Sequence, residues 1–186
     1  MKTIQTELFS YKELSDEAKE KVVEVLIKER ENDSCALDYA IDEFMDSVRS
    51  ICRECNFRLG DYSIGTYSQN WKLKVIMGNE DPKGNKALAW FLRVLIDKGY
   101  ERPKRFSEMK FTGVCGFTGV HTDEIVCESI WKSLLEGDRV SKAFDSSAYT
   151  ICKNLEEQYE YDTSKEGILE NLDIDEEVYM EDGAKF

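Results

Sequence analysis

The alternation of apolar and polar positions divides the chain into helical and extended stretches. Residues 3–11 alternate as a short strand leading to a turn. Ser15, followed by Asp16 and Glu17, has the chemistry of a helix N-cap with acid in the first turn. Leu14, Ala18, Val22, Val25 and Leu26 then recur at helical spacing, and the polar run at 31–34 breaks that helix. A second helix follows, with Leu37, Ile41, Phe44, Val48, Ile51, Cys52 and Cys55 along one stripe. After Gly60 the period shortens to two: Tyr62 and Ile64, then Trp71, Leu73 and Val75 separated by Lys72 and Lys74, predict two strands.

Residues 79–85 read as a turn, and 87–98 as a helix closed by Gly99, with Leu88, Phe91, Leu92, Leu95 and Ile96 inward. A basic loop at 98–110 leads to FTGVCGFTGVHTDE at 111–124, where Phe111, Val114, Phe117 and Val120 suggest a strand and Thr122 a helix cap. Ile125, Val126, Ile130, Trp131, Leu134 and Leu135 mark the helix that Thr122 starts, which Gly137 closes. Phe144, Ala148, Ile151, Cys152 and Leu155 mark the next, at 141–160. The end predicts a short helix and a hairpin turning at Asp182-Gly183. With no clean linker, the pattern predicts a single α+β domain over 1–186, a mainly antiparallel sheet packed with four to five helices. The acidic helix-hairpin segment 156–186 is part of it.

Charge changes this picture most. The 186 residues hold 38 Asp and Glu against 25 Lys and Arg, a net of −13. Such a surface repels nucleic acid and anionic membrane and suits a partner with a basic face. From 156 onward twelve acidic residues face two lysines. Tyr159, Tyr161, Ile168, Leu169, Leu172, Ile174, Val178 and Tyr179 can pin that run to a core. An ordered carboxylate array imitates the phosphates of a nucleic acid. The candidate partner-binding residues are therefore Glu156, Glu157, Glu160, Asp162, Asp173, Asp175, Glu176 and Glu177. The first residues hold no apolar stretch of the secretory kind, and no run approaches the 18 apolar residues of a membrane span. A cytoplasmic protein, with its six cysteines reduced, is expected.

Other chemistry is sparse. Cys52, Cys55, Cys115 and His121 could hold zinc tetrahedrally, yet Cys52 and Cys55 lie on an apolar helical stripe and the second pair is loosely spaced. No cofactor is expected. Cys115 with His121, the one histidine, could form a cysteine-dependent centre if Asp123 oriented the imidazole, although a capping histidine accounts for the same residues. The glycines of 111–124 match neither a phosphate loop nor a dinucleotide fingerprint. In the basic loop Tyr100 and Phe106 alternate with cations, the pattern of a single-strand binder, which the overall charge opposes.

Three segments in order carry a resemblance: FSYKELSDEAKEKVVE at 9–24, Ser68-Gln69 within YSIGTYSQNW, and YEYDTSKEGILENLDIDEEVYMEDGAKF at 159–186. Together they resemble an uncharacterised group of phage and prophage proteins. Those proteins share a strand before an "eLSeeAKekA" helix, an aromatic-rich strand region with a Ser-Gln pair, and a tail closing on strand-EDG-strand. The FTGV duplication and Cys115 depart from that pattern. The resemblance implies an early or accessory phage protein acting in the host bacterial cell and supplies no catalytic mechanism. With the acidic tail, the expectation is a non-enzymatic inhibitor of a host nucleic-acid-handling defence protein, of the anti-CRISPR kind. The alternatives are a zinc- or cysteine-dependent enzyme at Cys115 and His121, or a regulatory phage protein without inhibitory role.

Overall fold

A computed structural model describes residues 7–65, 71–78, 80–172 and 178–185. Two compact units form, one from Met1–Ala36 with Glu157–Phe186 and a larger one from Leu37–Glu156.

In the smaller unit the two ends of the chain meet. β1 (Phe9–Ser10) pairs antiparallel with β4 (Val178–Tyr179), Phe9 opposite Tyr179. A capping box closes the turn after β1, with the Glu13 carboxylate accepting from the Ser10 amide at 2.8 Å. α1 (Asp16–Glu31) starts at Ser15, whose hydroxyl accepts from the Ala18 amide at 3.2 Å. Leu14, Ala18, Val22 and Val23 pack with Ile168 and Leu172 of α6 (Lys165–Leu172) and with Tyr179. Val25, expected inside, is 52% exposed. The buried arc runs from Ala18 through Val22 and Leu26 to Val23 and Ile27, and Val25 falls at its edge. The expected hairpin is present: Gly183 has φ +87°, Met180 and Ala184 share a 2.8 Å bond, and Tyr179 bridges to Lys185.

The larger unit is built on helices. α2 (Ser34–Glu54) buries Phe44, Met45, Val48, Ile51 and Cys52, with Cys55 buried just beyond its end; Leu37 and Ile41, also on the stripe read from sequence, are only partly buried. The ribbon of β2 (Arg58–Ser63) and β3 (Lys72–Ile76) is antiparallel, with Leu73 and Val75 buried and Lys72 and Lys74 exposed between them. α3 (Gly84–Asp97) ends before Gly99, at φ +95°. α4 (Thr122–Leu135) is buried on nearly every side. Trp131 packs edge-on against Phe106 and Phe111, with centroids 5.9 and 6.3 Å away. Leu135, the last residue of α4, is 41% exposed rather than inward. α5 (Val140–Asp162) buries Phe144, Ala148, Ile151, Cys152 and Leu155 as its spacing predicts.

The α+β class therefore holds, with its balance corrected. Among the described residues there are six α-helices, and the sheet is two separate two-stranded ribbons rather than a main antiparallel layer. The expected strand at 111–120 does not form, because Gly113 and Gly119 take φ of +82° and +85° and interrupt any extended run.

A Cβ on Gly183 would lie 2.7 Å from the Ala18 carbonyl oxygen of α1, in a backbone region that L residues resist. Gly183→Ala is expected to destabilise by about 1–3 kcal/mol. The check is a lower urea midpoint with an unchanged slope.

Candidate functional site

The FTGV repeat is a local device. Each copy places an aromatic residue two positions before a left-handed glycine, but the turns differ: the Val114 amide donates to the Phe111 carbonyl in the first, and the Gly119 amide to the Cys115 carbonyl in the second. Phe111 is buried against Tyr100 and Trp131, whereas Phe117 packs on Tyr100 beneath Lys98, whose ammonium lies 5.7 Å from its ring centre. Gly116, between the copies, passes so close to the Lys98 carbonyl that a Cβ there would overlap it.

Asp123 holds this loop. Its carboxylate is fully buried and accepts from the Phe117 amide and the Thr118 amide at 2.8 Å each. The Thr118 hydroxyl donates to it at 2.9 Å and the Ser47 hydroxyl of α2 at 2.7 Å. Four donors take the place of water around a charge that burial would otherwise expel. Thr122, expected as the cap, instead shares a 2.8 Å bond with Ser47, and His121 occupies the N-cap position without a side-chain capping bond. The His121 Nδ1 lies 3.4 Å from a Glu124 carboxylate oxygen.

The arrangement does not assemble the chemistry weighed for Cys115 and His121. Asp123 is spent on the loop amides rather than on an imidazole, and His121 leans on Glu124 with its side chain 73% exposed. Desolvation, reinforced by Glu124 and Asp123, raises the Cys115 thiol above its ordinary value, which disfavours the thiolate a nucleophile needs. Burial pushes the Cys52 thiol up to about 12 and raises those of Cys55 and Cys127, as for cysteines that pack as small apolar side chains. Among the described residues no three His, Cys, Asp or Glu side chains are grouped to hold a metal. In the basic loop, Tyr100 is buried with its hydroxyl donating to the Val114 carbonyl at 2.8 Å, and Phe106 packs on Trp131. Neither ring is offered to a nucleobase, so the interleaved pattern is corrected to a pair of inward anchors.

Of the acidic array, Glu157 and Glu160 are exposed near the end of α5, and Glu156 and Asp162 are half-buried. Asp162 accepts from the Gln158 side chain at 2.9 Å. Asp173, Asp175, Glu176 and Glu177 lie outside the described residues. Glu156 belongs to the larger unit and the others to the smaller one. The charge divides along the same boundary. The smaller unit carries twenty Asp and Glu against eight Lys and Arg, a net of −12. The larger unit carries eighteen against seventeen, a net of −1. α1 adds exposed Asp16, Glu17, Glu20, Glu24, Glu29 and Glu31 to the acidic set, which tail-centred reading missed. Their signal was available in the N-terminal composition, but only the β1–β4 and α1–α6 pairings join them to the tail in one body.

Comparison with protein-family models, with curated proteins and with solved structures found no match for the chain. No described helix is long and apolar enough to cross a membrane.

Asp123→Ala leaves two loop amides without their acceptor and is expected to cost about 2–4 kcal/mol in urea unfolding. Cys115→Ser and His121→Ala should each stay within about 1 kcal/mol of the parent, because neither removes a buried partner. A catalytic thiol predicts the opposite pattern in one further assay: rapid alkylation of Cys115 at neutral pH, where its raised pKa instead predicts slow reaction that accelerates in base.

Proposed function

We propose that the chain is a non-enzymatic binding protein whose acidic smaller unit occupies the basic nucleic-acid-binding surface of a host protein. Its net charge of −12 against −1 for the rest of the chain is the observation that carries this reading. A purely solubilising charge has no reason to collect in one folded unit. An ordered set of carboxylates on short helices presents anions at fixed positions, as a nucleic-acid backbone does. Exposed Glu157 and Glu160, the acidic face of α1, and Asp173, Asp175, Glu176 and Glu177 are the contact set, with Glu156 and Asp162 at its margin. The resemblance to phage and prophage proteins supplies the context: action in the bacterial cytoplasm against a nucleic-acid-handling defence protein, as anti-CRISPR inhibitors act. The chain itself needs no cofactor for this, and it binds neither nucleic acid through the acidic unit nor a membrane.

Mimicry of a polyanion makes binding electrostatic, so the captured partner should elute between about 0.1 and 0.5 M salt as screening shortens. Affinity purification from host lysate with a salt gradient reads this directly. Glu157→Lys with Glu160→Lys should weaken capture about tenfold or more, and duplex DNA or RNA added to the complex should displace the chain. Retention that is indifferent to salt and to competing nucleic acid contradicts the mimicry.

A further inference from the structure

We propose that the groove between β3 and the first turns of α5 binds a compact oligophosphate, free or carried by a nucleotide. This open space of about 650 Å³ lies within the larger unit and is lined by Trp71, Lys72, Lys74, Ser141, Lys142 and Asp145, with Leu73 and Val75 beneath. Its polar groups are almost all donors. Lys72 and Lys74 are exposed on alternate positions of β3, which sets them about 6.6 Å apart along the strand, and neither is in an ion pair among the described residues. Lys142 adds a third ammonium, bonded on one side to Asp138 at 2.6 Å. The Trp71 indole nitrogen is itself buried, without a hydrogen-bond acceptor among the described residues, so the ring rather than the N–H is what Trp71 offers the groove.

The acceptors that line the same space are already committed. Asp145 accepts from the Leu73 amide at 3.1 Å. The Ser141 amide and hydroxyl donate outward to the Asp81 carboxylate at 3.1 and 2.6 Å. What remains is demand for oxyanions from three lysines. Lysine binds phosphate as a point charge, and three ammoniums on one space suit a multiply charged anion better than a single carboxylate. The Leu73–Asp145 bond argues against an acidic peptide. A strand adding to the outer edge of β3 needs that amide, and α5 has capped it. A compact anion uses only the side-chain donors. The Trp71 ring, which meets Tyr149 edge-on at 4.9 Å, adds an aromatic wall for a base when the phosphates belong to a nucleotide.

The test is isothermal titration calorimetry of the full chain at low salt with inorganic tripolyphosphate, with ATP, and with a glutamate-rich peptide. Saturable binding of tripolyphosphate or ATP is expected. Lys72→Gln with Lys74→Gln should lower it at least tenfold. Lys72→Arg with Lys74→Arg should retain most of it, which separates loss of charge from loss of fold. Lys132→Gln, outside the groove, should leave it unchanged. ATP binding more tightly than tripolyphosphate assigns the site to nucleotides, and equal affinity assigns it to the phosphate chain alone. The proposal is overturned if neither phosphate binds saturably, if the double glutamine variant binds as the parent does, or if only the glutamate-rich peptide binds.

Discussion

The larger unit depends on a buried carboxylate. Asp123 has no cation beside it; four hydrogen-bond donors, two of them backbone amides of the loop it ends, make its burial tolerable. This arrangement couples three things that could otherwise vary separately. Ser47 brings α2 to the start of α4, the amides of Phe117 and Thr118 fix the second FTGV turn, and that turn seats Phe117 on Tyr100. The aromatic cluster of Tyr100, Phe111, Phe106 and Trp131 then closes around α4. Removing the acid would leave stranded amides rather than a simple cavity, because loop backbone has no other acceptor in reach.

Charge is the second organising constraint, and it is distributed unequally. Within the larger unit, cations and anions nearly balance, and many are paired locally: Lys98 with Glu54, Lys86 with Glu80, Lys132 with Glu128, Lys142 with Asp138. Pairs of this exposed kind contribute little to stability. Lys72 and Lys74, without an ion pair among the described residues, differ from the other unpaired cations only in lining one groove with Lys142. The smaller unit has no such balance. It holds its excess of carboxylates together through the apolar contacts of α1 with α6 and Tyr179, and through pairing of the two chain ends. A unit that works against its own repulsion gains from a partner that relieves it.

Much of the fold was legible because helical period and capping are local. Ser15 capped α1, Gly99 and Gly137 closed their helices, the stripe of α5 was buried as spaced, and that of α2 was buried from Phe44 onward. The sheet was overestimated at the glycines of 111–120. Apolar residues there recur every third position rather than every second, and left-handed backbone turns the chain instead of extending it. Asp123 is the instructive miss. One-dimensional reading offered it as an orienting acid for a histidine, while its real partners include Ser47, 76 residues away. No periodicity encodes such a contact. The basic groove was half visible: alternation put Lys72 and Lys74 outward, but only folding sets α5 beside them.

Net charge alone would forbid an anion site on this chain, and that inference fails for a physical reason. Repulsion from exposed charges decays over a screening length of about 8 Å at physiological salt, so a ligand responds to the groups that line its site more than to the total. The total of −13 is almost wholly the smaller unit's. A bound phosphate chain would meet the ammoniums of Lys72 and Lys74, unpaired among the described residues, and a third already sharing its charge with Asp138. The same screening separates the two proposed activities. An extended acidic face needs a large basic partner, because each surface contact is individually weak. The groove needs only a small ligand, because its donors converge on one space.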